Sequence, residues 1–72
     1  MNLNDIFVDA FNNGNTYQGS RVIRRGERQV GHVVTASCEG DSFFVELLYA
    51  GHDAAEIRKV RQHEFAEYEL TG

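Results

Sequence analysis

The sequence predicts a mainly β protein led by one amphipathic helix. Three observations carry that reading. Near the N-terminus, Leu3, Ile6, Phe7, Ala10 and Phe11 recur at helical spacing. From residue 21 onward, short runs rich in Val, Ile, Thr and Phe alternate with Gly- and Asp-containing turn clusters. The stretch FFVELLYA, residues 43–50, is apolar on both faces when extended, as in a strand lying between two layers. The competing fold is α+β, helix–three-stranded antiparallel sheet–helix. It differs only in residues 54–70.

At 72 residues the chain is read as one domain, residues 1–72. A chain of this size buries only roughly 60% of the surface its unfolded form exposes. Small folds therefore often lean on a disulfide, a metal or a second subunit. Cys38 is the single cysteine, so no internal disulfide forms. No Cys-x-x-Cys or paired Cys/His cluster suggests zinc. A self-sufficient core or a homodimer remains. The lone cysteine fits a reducing compartment. MNLNDIFVDAF lacks a basic stretch followed by a long apolar run, so it does not read as a signal peptide. Nothing approaches the ~20 apolar residues of a membrane span. The expectation is a cytoplasmic protein with no membrane partner.

The helix is expected over residues 2–12. Asn2 or Asn4 can cap it, Asp5 suits its first turn, and Gly14 stops it. About three turns need tertiary packing to persist, so its apolar stripe must cover something. The loop NNGNTYQGS, residues 12–20, follows. Residues 21–24 are a short strand and residues 25–28 a turn. Residues 30–38 form a second strand, with Val30, Val34, Ala36 and Cys38 on one face. Residues 39–42 read as a hairpin turn. In the third strand Phe43, Val45, Leu47 and Tyr49 share a face, while Phe44 and Leu48 flank Glu46 on the other. The helix is expected to cover that second face. Gly51-His52-Asp53 is the next turn.

The segment AAEIRKVRQHEFAEYEL has helical propensity, with Asp53 and Glu56 placed as a capping box. On a helical wheel, however, Arg61 interrupts the face formed by Ala54, Ile57, Phe65 and Tyr68. The alternative is a strand over residues 56–61, a tight turn at residues 63–65, and a short strand over residues 66–70.

GSRVIRRGERQVGHVV resembles the opening of a Src-homology-3-like small barrel of the KOW type, with its G-x-x-V … G-x-V spacing. EIRKVRQHEFAEYEL resembles the closing half of such a barrel, with Val60 ending the fourth strand and Phe65 following the turn. The resemblance covers residues 19–70. It implies a five-stranded barrel, and an Sm-like barrel accommodates the leading helix as well. Residues 52–55 lengthen one turn beyond a minimal barrel. The aromatic groove of proline-peptide-binding members is missing, so that activity is not implied.

Charge raises the functional question. The chain holds 7 Lys+Arg against 11 Asp+Glu, a net charge of −4. That balance argues against a protein that coats nucleic acid. Yet all the basic residues fall in two stretches: Arg21, Arg24, Arg25 and Arg28, then Arg58, Lys59 and Arg61. In a small barrel the two stretches can form one patch. Arginine forks suit carboxylates and phosphates. The plainer alternative is solvated strand faces, with Arg pairing Glu27, Glu56 or Glu64. Asp5 and Asp9 on the helix, and Glu64, Glu67 and Glu69 near the C-terminus, form the acidic counterpart.

Other constellations carry less. His32 is placed at an inward or boundary position. His52, Asp53 and Glu56 lack a strong metal-ligand spacing. Cys38 and His32, on one strand face, stand ~20 Å apart at a rise of ~3.3 Å per residue, too far for a nucleophile–base pair. Gly26 and Gly31 lack the Lys-Ser/Thr flank of a phosphate loop. No carboxylate pair marks a cleft, so no catalytic residue, metal or cofactor is expected. Tyr17, Phe44 and Tyr49 are the candidate stacking or interface aromatics.

The expected protein is a non-catalytic binding module that recognises a protein partner through the Arg-rich loop and strand, in the manner of a small regulator of a larger bacterial or phage machine. RNA or DNA binding through the same residues is the alternative. A homo-oligomer, built on Phe44 and Leu48 or on the helix, is the third.

Overall fold

The computed structural model describes residues 1–51 and 53–71; His52 and Gly72 lie outside them. Helix α1 spans Leu3–Asn13. Asn2 caps it: its side-chain oxygen accepts the Asp5 N–H at 3.2 Å, and an Asp5 carboxylate oxygen accepts the Asn2 N–H at 3.0 Å. Two of the four backbone donors that a helix start leaves unpaired are dealt with in this way. Gly14 ends the helix.

Five strands follow: β1 Arg21–Arg24, β2 Val30–Glu39, β3 Ser42–Ala50, β4 Ala55–Arg61 and β5 Tyr68–Leu70. They form one antiparallel sheet in the order β4-β3-β2-β1-β5. The fold is therefore mainly β with one N-terminal helix. The second helix of the α+β alternative does not form. Residues 55–61 instead pair with β3 along their whole length, from Ala50↔Ala55 to Phe44↔Arg61. A 3₁₀ turn, Gln62–Glu67, then carries the chain from β4 to β5.

That turn dictates the sheet's shape. Six residues at ~2 Å rise span ~12 Å. In a flat five-stranded sheet the outer strands would stand ~19 Å apart, at ~4.8 Å per strand. The sheet must curl to let the turn connect its two edges. No strand pair joins β4 to β5 among the described residues, so the curled sheet is not closed. Side chains bridge the gap: the Arg58 guanidinium on β4 reaches the Tyr68 hydroxyl on β5 at 3.3 Å.

The β2–β3 hairpin turns at Gly40-Asp41, inside the Glu39↔Ser42 pair. Gly40 has φ +58° and Asp41 does not share a positive φ, the II′ geometry that matches strand twist. Within β2 the register shifts between Val33 and Thr35. The extra residue moves the inward face from odd to even positions. Val33 is thus buried before the bulge, and Ala36 packs on the core after it. The expectation that Val30, Val34, Ala36 and Cys38 share one face is corrected accordingly: Ala36 and Cys38 oppose Val45 and Phe43 on the inner face, whereas Val30 pairs with Ile23 on the outer one and Val34 falls in the bulge.

One core fills the curl. Val22, Val45, Leu47, Val60 and Phe65 meet Leu3 and Ile6 of α1 there. Burying each aliphatic side chain contributes about 1.5–3 kcal/mol. Val60 and Phe65, the apolar pair of the closing segment, are both about 1% exposed. Phe7 extends the cluster, with ring centroids 5.0 Å from Phe43 and 5.7 Å from Phe65. The helix therefore packs on the inward side, with the turn and β5. The expectation that the helix covers the second face of β3 is thereby corrected: Leu3 and Ile6 pack with Val45 and Leu47 on the first. Phe44 on that face is roofed instead by its neighbours on β4.

Candidate functional site

The seven basic residues do not form one patch. The fold sorts them by strand parity. Arg24 pairs with Tyr68 across β1 and β5, and Arg58 lies two residues before buried Val60, so both point to the inner side of the curled sheet, beside its open gap. They share one carboxylate. Glu27, in the β1–β2 loop, accepts from Arg58 Nη1 at 3.0 Å and from Arg24 Nη1 at 3.3 Å. Arg24 Nη2 also reaches Glu67 at 3.3 Å and Glu64 at 4.0 Å. Arg58 stacks on the Tyr49 ring, 4.4 Å from its centroid, and donates toward the Tyr49 and Tyr68 hydroxyls at 3.5 and 3.3 Å. No buried side-chain polar atom lacks a partner among the described residues. This cluster ties the loop, β1, β3, β4 and β5 together where the sheet stays open. Arg24 and Arg58 are both engaged in it, although each keeps about a third of its side-chain surface accessible, 33% and 31%. The alternative of Arg–Glu pairing, with Glu27 and Glu64 among the named acids, describes these two residues.

The cluster titrates in acid. The Arg58 hydrogen bond, with a smaller contribution from Arg24, holds the Glu27 carboxyl below the usual carboxylate range. The hydrogen bond to Tyr68 is the largest effect raising the Arg58 guanidinium above its usual value. A carboxyl depressed in the folded state contributes stability above its unfolded pKa, and loses that contribution as pH falls through the folded value. Glu27→Gln is therefore expected to flatten the fall in urea midpoint as pH drops below about 5, where an ordinary carboxyl and then a depressed one take up protons. A variant whose acid profile overlays the parent's would show that Glu27 contributes nothing there.

The other five cations lie outside. Arg25 and Arg28 are exposed in the β1–β2 loop. Arg21, Lys59 and Arg61 stand on the outer sheet face. The register places Arg21, His32, Leu48 and Ile57 side by side across β1 to β4. Directly opposed residues share a face, so these four form one row, ~14 Å long at ~4.8 Å per strand. The adjoining rows on β3 and β4 are Glu46–Lys59 and Phe44–Arg61. His32 is thus exposed and outward, which corrects its expected inward or boundary position. Ile57 is 51% exposed, and Leu48 beside it is half-buried.

The candidate aromatics are corrected by burial. Tyr49 is 2% exposed, wedged between Gly31 and Arg58, and offers no stacking face. Phe44 is 4% exposed although it sits on the outer face. Lys59 Nζ lies 4.3 Å from its ring centroid and Arg61 Cζ 5.6 Å, while Glu39 holds Lys59 at 3.6 Å. Such cation–π contacts contribute about 0.5–1 kcal/mol each at the surface. Tyr17 is half-buried and donates its hydroxyl proton to Asp9, which Asn13 and Asn15 also bind. The Tyr17 bond above all, then those of Asn13 and Asn15, lowers the Asp9 pKa. This clasp holds the loop after α1 over a cleft of about 260 Å³ lined by Ile6, Ala10, Val33 and Ala36.

Among the described residues no three His, Cys, Asp or Glu side chains converge as metal ligands. The set His52, Asp53 and Glu56 includes a residue outside the described ones. No helix there is long and apolar enough to cross a membrane. The structural role of Glu27 and Tyr68 could have been inferred from Arg58 sharing strand parity with Val60, which turns a cation inward and demands partners. The Leu48–Ile57 pairing depended on the β3–β4 register, which composition does not carry. The class defined by fold and site is a small β-rich domain with an outward apolar pair, Leu48 and Ile57, set among cations. Comparison with protein-family models, curated proteins and solved structures finds no match.

Proposed function

We propose that this chain is a non-catalytic binding module whose outer sheet face recognises a protein partner with an acidic, apolar surface. The observation that carries the reading is the row Arg21–His32–Leu48–Ile57, with Lys59 and Arg61 on the adjoining rows of the same face. An apolar pair with cations beside it suits a carboxylate-bearing protein surface. Exposed Arg25 and Arg28 extend the positive field along the loop. Helix-then-five-strand order, with β5 returning beside β1, supports the resemblance to Src-homology-3-like and Sm-like small barrels, which serve here as a frame for binding. A nucleic-acid reading is less favoured because Phe44, the aromatic on this face, is roofed and cannot stack a base.

The test is an anisotropy titration with labelled acidic, leucine-containing peptides, and separately with mixed single-stranded RNA and duplex DNA, at ~50 and ~200 mM salt. Binding of the acidic peptides, weakened at least about tenfold by Arg21→Glu combined with Lys59→Glu, is expected. If the peptides do not bind and the nucleic acids do, with affinity collapsing by orders of magnitude over that salt range, the nucleic-acid reading replaces this one.

A further inference from the structure

The two edges of the sheet are not alike. The outer edge of β5 is occupied: the Leu70 N–H donates to the Met1 carbonyl at 2.8 Å, and Asn2 bridges Glu69. Among the described residues β4 has no strand on its outer side. Its hydrogen-bonding phase can be counted. The Gly51 N–H donates to the Ala54 carbonyl, which makes Gly51 and Ala54 a hydrogen-bonded pair. Stepping along the ladder, Ala50↔Ala55 is then non-bonded, Tyr49↔Glu56 bonded and Leu48↔Ile57 non-bonded. The same alternation, carried through Leu48↔His32 into β2, aims Val33 at β1, and there the Val33 N–H does donate to the Ser20 carbonyl at 2.9 Å. The backbone N–H and C=O groups of Ala55, Ile57 and Lys59 therefore point away from β3, with no strand to take them.

An open edge is a template for another strand unless its side chains forbid it. The charges of β4 are polarised along its length. Glu56 stands near its start, with Asp53 just before the strand; Arg58, Lys59 and Arg61 stand at its end. A second copy laid antiparallel sets the acidic end against the basic end. Opposed residues must share a face, so a two-fold register centres on a single residue. Centring on Glu56, Arg58 or Lys59 opposes like charges at the axis. Centring on Ile57 opposes Ile57 to itself, Glu56 to the second copy's Arg58, and Ala55 to its Lys59. Ile57 is also the large apolar side chain that β4 leaves exposed.

From this we infer that β4 is a homodimerisation edge: two copies of the chain pair their β4 strands antiparallel about a two-fold axis at Ile57, joining two five-stranded sheets into one. Head-to-tail growth through β5 is blocked by the N-terminal segment, so the assembly closes at two. The inference does not depend on the acidic partner proposed above.

Sedimentation equilibrium over a range of concentrations provides the test. A monomer–dimer equilibrium is expected. Ile57→Pro removes an outward N–H that the β3 ladder does not use, so the monomer keeps its circular dichroism spectrum. The dimer dissociation constant should rise by about tenfold or more, since one hydrogen bond is lost from each copy. In a Cys38→Ser background, Ile57→Cys should form an intermolecular disulfide on mild oxidation, because opposed bonded pairs hold their Cα atoms ~5.5 Å apart. Glu56→Cys, displaced from its own copy across the axis, should cross-link far less. A single monomeric mass up to about 1 mM overturns the inference. So does a dimer that Ile57→Pro leaves unchanged. Arg21→Glu should not alter the mass, which separates this result from that of the peptide titration.

Discussion

Gly31→Val is expected to destabilise the protein by about 3 kcal/mol, the cost of forcing atoms into a packed core. A Cβ at position 31 would stand 2.8 Å from Tyr49 Cζ and 3.0 Å from Cε1. Neither side can give way cheaply. Gly31 is held by its pairing with Val22 in β1. The Tyr49 ring is 2% exposed and lies under the Arg58 guanidinium. A domain of this size has roughly 4–10 kcal/mol of total stability, so one such substitution removes a large share. Urea unfolding followed by tyrosine near-ultraviolet circular dichroism measures it. Gly31→Ala should fall between parent and valine variant. In a double-mutant cycle, Tyr49→Leu should recover part of the loss, since the two sites meet. An unchanged midpoint in Gly31→Val would mean that the close approach of backbone to ring does not constrain the fold.

Arg58→Ala is expected to cost about 2–3 kcal/mol, in the range measured for hydrogen bonds to charged groups. The guanidinium serves three groups together. It bonds Glu27 at 3.0 Å, approaches the Tyr49 and Tyr68 hydroxyls at 3.5 and 3.3 Å, and covers the Tyr49 ring. Tyr68 is 1% exposed, so its hydroxyl has little access to replacement water. Truncation strands both hydroxyls and leaves Glu27 with Arg24 alone. Arg58 remains partly exposed, with 31% of its side-chain surface accessible, and solvent screening moderates the ion-pair share of the loss. Arg58→Met keeps the aliphatic stem over Tyr49 but no donor, and should recover part of the stability. If Arg58→Met equals the parent, the residue acts by packing and the hydrogen bonds contribute nothing net.

The two substitutions bear on how an acidic chain comes to concentrate its arginines. Part of the answer is architectural. A curled sheet with an unpaired gap between β4 and β5 needs long, forked side chains to bridge it, and Arg24 and Arg58 do so through Glu27. The remainder faces solvent, and that remainder supports the binding proposal.

The sequence by itself determined the elements. Helical spacing from Leu3 to Phe11, with Asn2 and Asp5 able to cap reciprocally, is a local signal, because a helix closes its hydrogen bonds within four residues. Gly40-Asp41 specifies its own hairpin for the same reason. The closing segment could be read as strand, turn and strand because Arg61 spoiled the helical stripe of Ala54, Ile57, Phe65 and Tyr68. What only the tertiary structure decided was the faces. One extra residue at the Val33–Thr35 bulge reversed the inward side of β2, and no count of alternating residues reveals where a ladder slips. Phe44 became buried on an outward face because Lys59 and Arg61, fifteen and seventeen residues away in the chain, fold over it. Arg58 became internal because curling brought Tyr68 and Glu27 to it. Those outcomes depend on register and curvature, which are set by pairings between distant residues, and so they belong to the folded molecule as a whole.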